Sequence, residues 1–488
     1  MRTRFVLSGV IAATMAATAV IGGVAQSGSA GARQMTFTED VAPIIFNHCT
    51  SCHRPGEAAP FALLSYADVR PRGRSIALAT RARQMPPWKA ETGDFAFQGD
   101  RRLTDADIDV IARWVDAGMP QGDPAKLPPL PKFTDGWQLG EPDLVVRMPE
   151  GFAVPESGRD IYRNFVLPLN LQDDVWVKGV DFRPSARSVV HHSLFFLDAT
   201  GAARQLDERD PLPGYNGGMG GGLALSRGRL GLAGRGGRGA AAAGVRGSSA
   251  GSTLGGWAPG AQPHLLPDDL AFFVPKGSDL VLSTHFHPSG KAESEASTVG
   301  LYFAKTAPTK TFTAIQLPPV FGFLAGLDIP AGENRYSISD SFEIPVDVKA
   351  FGVSAHAHYI GKTMTMKATL PDGETRTLLS IRDWDFGWQE QYLFSSYAAL
   401  PAGTRLDVTV TYDNSAANRR NPSSPPKRVT WGEQSTDEMG SVTLQVVAAR
   451  ESDLPQLQQA VAVHLRDAAL KSPIGALLLG ARGGAGER

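Results

Sequence analysis

From about residue 138 onward, short runs alternate apolar and polar residues, whereas the stretch before it carries its apolar residues three and four apart. Period two reads as half-buried strand and period 3.6 as helix. The alternation predicts strands at 175–182, 188–197, 280–287, 335–342, 363–370 and 407–412, the fifth of them closed by Pro371-Asp372-Gly373. So many short strands bounded by turns predict sandwich architecture. Roughly 320 residues is too much chain for one sandwich, so two are predicted, at 138–325 and 326–450. Upstream, Val41, Ile44 and Ile45 share a helical face, and Thr104-x-x-Asp107 is a capping box. It opens a helix with Ile108, Ile111, Ala112 and Val115 on one stripe and Gly118 as its stop. The Pro-rich stretch 126–137 is the expected linker, because proline continues neither helices nor central strands. Beyond 450, Leu454, Leu457, Val461 and Leu465 predict a helix, followed by a disordered Gly-rich tail to 488.

Length agrees with this division, since 488 residues correspond to about three domains. Charge adds an exclusion. The 48 Lys and Arg against 49 Asp and Glu leave a net charge of −1, too little field to attract nucleic acid or an anionic membrane. A Gly, Ala and Arg-rich tract at 214–256 is expected to be a mobile surface insertion. At the start, Arg2 and Arg4, an apolar run from Phe5 to Ala25 and the small residues Ala30-Gly31-Ala32 read as a signal peptide over 1–32. A retained anchor helix is the other reading of that run. Either way the expectation is an exported protein, in a bacterial periplasm or secreted, with no further membrane span.

Both cysteines of the chain fall in Cys49-Thr50-Ser51-Cys52-His53, the C-x-x-C-H pattern of covalent haem attachment. On a helical turn this spacing sets both thiols on one face, each able to add to a haem vinyl, with the next imidazole free to ligate iron. Residues 33–125 resemble a class I cytochrome c domain. That resemblance implies one covalent haem c and a distal methionine, for which Met85 in a Pro-rich loop and Met119 after the last helix compete.

Six of ten histidines come in pairs: His191-His192, His285-Phe286-His287 and His356-Ala357-His358. Alternate strand residues share a face, so His356 and His358 can grip one ion together. Adjacent His191 and His192 face opposite ways on a regular strand and can share an ion only at a bulge or a strand end. Histidine is costly to bury unpaired, so three pairs in one β-rich region argue against core filling. With no cysteine to spare, imidazole sites suit copper or zinc.

The order of these pieces is similar to that of the copper type II, ascorbate-dependent monooxygenases, the family of peptidylglycine alpha-hydroxylating and dopamine beta-monooxygenases. The resemblance runs over about 138–450, through Val190-His191-His192-Ser193-Leu194-Phe195-Phe196, Thr284-His285-Phe286-His287, His356-Ala357-His358-Tyr359-Ile360-Gly361-Lys362 and Asp437-Glu438-Met439. It implies two coppers, one on His191, His192 and His285 for electron transfer and one on His356, His358 and Met439 for oxygen activation. A soft thioether favours Cu(I), and three imidazoles accommodate both oxidation states. His287 falls outside the ligand set, and His48, His264 and His464 have no partner motif. Two departures weigh against a peptide carboxylate as substrate. Ser354 stands where the amidating members carry arginine, and Thr443 where they carry tyrosine.

The expectation is therefore a small all-α cytochrome c domain followed by two jelly-roll-like all-β sandwich domains, acting as a haem- and copper-dependent monooxygenase. It would hydroxylate a C–H bond of a small molecule with O2, drawing electrons from ascorbate or a periplasmic redox protein. The alternative is a noncatalytic electron-transfer or copper-binding protein.

Overall fold

The computed structural model describes residues 33–55, 57, 59–133, 136–217, 253–258, 261–267 and 269–472. The signal segment 1–32, most of the Gly-rich tract and the tail after 472 lie outside these residues. Most of the described chain is β-structure in sandwich-like pairs of sheets, with a few helices in front and one behind. No helix among the described residues is long and apolar enough to cross a membrane.

Two of the leading helices, Ala42–His48 and Asp105–Asp116, form where the periodicity puts them. Ala42–His48 and Gly73–Arg81 pack with Asp105–Asp116, whose Thr104 and Asp107 close a reciprocal capping box. Ile108, Ile111, Ala112 and Trp114 are its buried face, and Gly118 ends it at a positive φ of 86° that a side chain would resist. The C-x-x-C-H motif itself is not helical. Cys49 caps the first helix, and the N–H groups of Cys52 and His53 turn back onto its carbonyl at 3.2 and 2.9 Å.

Each sandwich pairs two four-stranded antiparallel sheets. In the first, Ile161–Pro168, Asp279–Phe286, Val190–Asp198 and Thr253–Trp257 form one sheet, in that order. Leu144–Arg147, Thr298–Phe303, Val175–Arg183 and Phe272–Val274 form the other. The second sandwich has Phe312–Leu317, Gly440–Ala448, Val348–Ala357 and Gln391–Leu400 in one sheet. Its other sheet runs Tyr336–Glu343, Arg405–Tyr412, Gly361–Thr369, Thr375–Ile381.

The boundary between the sandwiches needs correcting. Phe312–Leu317 pairs with Gly440–Ala448 from Phe312↔Val447 to Leu317↔Val442, so the second sandwich begins at Phe312, not 326. Val320–Ala325 forms a kinked 3-10 segment in a loop inside that sandwich. Nor are the two sandwiches separately cored. Phe312, Phe351, Leu393 and Val447 of the second are buried in the core of the first, alongside Phe272 and Phe195.

The chain between the helices is also built into the second sandwich. Ala90 bridges Ile381 and Phe97 bridges Phe394, the edge strands of its two sheets. Backbone hydrogen bonds join Glu91 to Ser380, Gln98 to Leu393 and Ser395 to Ala96, each at 2.8 Å. Trp88, Ala90 and Phe97 thereby enter that sandwich's core, Phe97 stacking on Phe394 at 5.3 Å. Covering both open edges satisfies backbone groups that would otherwise invite pairing with other chains. Arg101 adds a bidentate ion pair with Glu390, at 3.0 and 2.6 Å. Truncating Phe97 to alanine removes a buried ring from this seam and should cost ~3–5 kcal/mol of unfolding free energy, read by urea denaturation. A loss below about 1 kcal/mol, the range of ordinary surface changes, would show that the segment is not part of the core.

Candidate metal centre between the sandwiches

His191 and His192 lie at the start of the strand Val190–Asp198, and the ladder to Asp279–Phe286 slips between Val190 and His192. Val190 faces Phe286 and His192 faces His285, so His191 is the extra residue of a bulge. The bulge lets neighbouring imidazoles turn to one side, as sharing an ion requires. Their Nδ1 atoms lie 3.0 Å apart, and the ligand atoms of His191, His192 and His285 all fall within 4.8 Å of one another. A metal held tetrahedrally by imidazoles at ~2.0–2.1 Å separates its nitrogens by ~3.3 Å, so the set is close to metal-binding geometry.

The ring of His285 is oriented by what surrounds it. Its Nε2–H donates to Asp160 Oδ2 at 3.0 Å, while its buried Nδ1 has no hydrogen-bond partner. A carboxylate only accepts, so the proton is on Nε2 and Nδ1 carries the lone pair. An unpartnered, lone-pair nitrogen on a ring 5.1 and 4.8 Å from those of His191 and His192 is available to a cation, and the donor set fits copper or zinc. Tyr162 stacks on the same ring at 4.4 Å and 14°.

His356 is the penultimate residue of the strand Val348–Ala357, and His358 follows it. Here the opposite nitrogens are tied down. His356 Nδ1–H donates to Gln389 Oε1 at 2.7 Å, and His358 Nδ1–H to the carbonyl of Asp437 at 3.2 Å, leaving Nε2 of each for an ion. Met439 is buried and immediately precedes the strand Gly440–Ala448. Its N–H and that of His358 both donate to Glu438 Oε2, at 3.0 and 2.9 Å, while Ile360 N–H takes Oε1. Burial pushes the Glu438 carboxyl up to about 8, against the pull of the backbone N–H groups of His358, Ile360, Met439 and Gly361.

The two sets are contiguous, not remote. The rings of His192 and His356 are 6.4 Å apart at 83°, against 5.3 Å for His356 and His358. Phe386 wedges between the sets, stacked on His191 at 4.1 Å and against His358 at 5.2 Å. Burial, then the neighbouring rings, holds all of these imidazoles neutral. His191 drops to about 3 and His356 to about 4, while His192, His285 and His358 are also lowered. On the same sheet face as His356, Ser354 pairs with Thr443 on one side and Gln391 on the other, with Gln316 opposite Thr443. This wall is polar and uncharged.

In the helical part, Cys49 and Cys52 form no disulfide, and burial pushes the Cys49 thiol up to about 12, with the charge of Cys52 adding to it. His53 Nδ1–H donates to the carbonyl of Phe61 at 3.1 Å, which frees Nε2. That is the arrangement a proximal haem ligand needs. Met85 is 43 % exposed, while Met119 packs so closely on Gly73 that a Cβ there would meet its sulfur at 2.5 Å. A cavity of about 410 Å³ lined by Phe37, Tyr66 and Leu127 touches neither cysteine nor His53.

His287, outside the expected set, bonds Asp160, and His464 pairs with Asp340, both at 2.8 Å; His264 holds the carbonyl of Gln262 at 3.3 Å. Sequence reasoning missed Asp160, Tyr162, Phe386, Gln389 and Glu438. Only Glu438 stood inside a motif, and the others carry no spacing signal.

No known protein family and no curated protein matches the sequence. Among solved structures, PNGF-II is 9 % identical, with a TM-score of 0.24 over 62 % of this chain and 65 % of its own, so the chain spans slightly under two thirds of it. Infectious bursal disease virus Gx strain is 10 % identical, with a TM-score of 0.17 over 67 % of this chain and 76 % of its own. VP54 of PBCV-1, fitted into a reconstruction of the virophage Sputnik, gives 7 % and 0.21 over 62 % and 93 %. Likenesses this distant carry no argument about fold or function.

Unfolded imidazoles titrate near 6.5, above the folded values of His191 and His356, so below pH 6.5 the unfolded chain binds more protons. Stability of the metal-free protein is therefore full above that pH and lost as pH falls toward 4 and then 3. Each neutral imidazole contributes ~1.4 kcal/mol per pH unit inside the window. Glu438 opposes the trend by one proton between its raised value and the ordinary carboxyl range near 4.5. The difference between wild type and His356→Leu isolates one imidazole, and its slope from pH 6 to 4.5 should have this size. Parallel stability curves would contradict the assignment.

Proposed function

We propose that the chain is an exported copper-dependent monooxygenase that hydroxylates a C–H bond of a small molecule with O2 and receives electrons from a covalent haem c at its own N-terminus. The observation that carries this reading is the opposed tautomers of two adjoining histidine sets. In the three-histidine set Nδ1 of His285 is left unpartnered, and in His356 and His358 it is Nε2 that their hydrogen bonds leave available, with the buried Met439 tied to the backbone of His358 through Glu438. Different donor sets suit different redox tasks. Three imidazoles tolerate both copper states, and two imidazoles with a thioether favour the reduced one.

Bound copper and haem would supply electron storage and O2 reduction. The protein's own residues supply the rest. Phe386 and Phe321 pack on the rings of His191 and His356 and restrict water there. Ser354, Thr443, Gln391 and Gln316 form the surface next to His356 and offer hydrogen bonds without charge. A neutral polar substrate suits that wall better than a carboxylate, which would look for a cation. Cys49, Cys52 and His53 would hold the haem, with Met85 as its distal ligand. Cys52 lies 3.9 Å from Gln262 of the first sandwich, and its charge environment includes Arg101 and Glu390. Glu390 adjoins Gln389, the partner of His356, so the haem turn and the histidines approach the same loop.

Protein matured in a periplasm should carry about two coppers and about one haem per chain, one group for each ligand set, by metal analysis and pyridine haemochrome spectra. Met439→Ala should keep the three-histidine copper and lose O2 consumption by the reduced protein. A wild type that binds copper yet consumes no O2 with any reductant would favour the noncatalytic carrier.

A further inference from the structure

We propose that Asp160 is a positioning residue that uses one carboxylate to set the three-histidine site of the first sandwich and to latch the ligand-bearing loop of the second. The inference rests on the copper reading above and adds a residue that no motif points to.

Asp160 immediately precedes the strand Ile161–Pro168 of the first sandwich. Its Oδ2 accepts from His285 Nε2 at 3.0 Å and from the N–H of Ser435 at 3.3 Å, and it also accepts from the Ser435 hydroxyl. Its Oδ1 accepts from His287 Nδ1 at 2.8 Å. Four donors, His285 Nε2, His287 Nδ1 and the N–H and hydroxyl of Ser435, converge on this one carboxylate, which can only accept. An obligate acceptor on Nε2 fixes the tautomer of His285 and leaves the lone pair on Nδ1, in a ring 5.1 and 4.8 Å from those of His191 and His192.

The same residue reaches across the interface. Ser435 belongs to the loop between Val429–Thr430 and Gly440–Ala448. Tyr162, which stacks on His285, donates its hydroxyl to the carbonyl of Glu433 in that loop. The loop then supplies the Asp437 carbonyl to His358, the Glu438 carboxylate to the N–H groups of His358 and Met439, and Met439 itself. Asp160 and Tyr162 thus touch a ring of one site and the loop that shapes the other. His287 takes the remaining oxygen but is over half exposed, so its bond is the dispensable one.

The test is copper titration of full-length, haem-loaded protein, with Cu(II) read by electron spin resonance and Cu(I) by competition with a chromogenic chelator. Asp160→Asn should weaken the three-histidine site by ~10–100-fold and change its nitrogen couplings, as loss of an outer partner to a metal-bound histidine does. Asp160→Glu should recover most of that loss, and His287→Ala should stay within about twofold, since neither changes the acceptor on Nε2. Ser435→Ala should spare the three-histidine site and weaken Cu(I) at His356, His358 and Met439 by about fivefold, the lower end of site-to-site coupling. This variant keeps the latch testable if Asp160→Asn does not fold. Unchanged affinity and couplings in Asp160→Asn overturn the positioning role, and unchanged Cu(I) affinity in Ser435→Ala overturns the latch. A wild type that binds no copper at its histidines defeats the functional reading and this inference with it. Two bound coppers with indifferent variants defeat this inference alone.

Discussion

Five imidazoles meet at the contact between two β-sandwiches, and the rest of the architecture serves to keep them there without charge. Protonating any one would place a cation among rings 4.8 to 6.4 Å away, within a surface sealed by Phe386, Phe321 and Tyr162. Burial makes that unfavourable, and the result is a cluster of lone pairs in place of a cluster of charges. Such a cluster costs free energy, which a Lewis acid bound there would offset. The shared core of Phe312, Phe351, Leu393 and Val447 supplies the rigidity that holds the two halves in contact meanwhile.

The halves use imidazole in opposite senses. In one, a side-chain carboxylate takes the Nε2 proton of His285; in the other, an amide oxygen and a backbone carbonyl take the Nδ1 protons of His356 and His358. The acceptors differ in charge as well as in place. An anionic acceptor makes its imidazole a stronger donor to metal than a neutral one does. The three-histidine set is thus the more electron-rich of the two, in keeping with a division between storing electrons and delivering them.

Much of this was readable beforehand because it depends on local spacing. Alternation located six strands to within a residue or two, and the capping box at Thr104 opened its helix as expected. The side-by-side His191 and His192 demanded an irregular strand, and the slipped register at that point supplies it. Features set by distant chain were not readable. Asp279–Phe286 was placed by its pattern, but its burial along the whole length was not. Gln389 and Phe386 sit in a loop with no periodicity, and Asp160 is a lone acidic residue 31 positions before His191. The inter-sandwich boundary was misplaced because the chain was divided by length, whereas the pairing of Phe312–Leu317 with Gly440–Ala448 joins distant chain.

The strip from Ala90 to Gln98 ties the helical part to both edges of the second sandwich. Free redox partners find each other by diffusion and rely on complementary surface fields to do so quickly. On the proposed reading, a donor stitched permanently into its acceptor would have no encounter to accelerate. A chain whose charges nearly cancel loses nothing by lacking such a field, and salt should leave traffic between its two ends untouched.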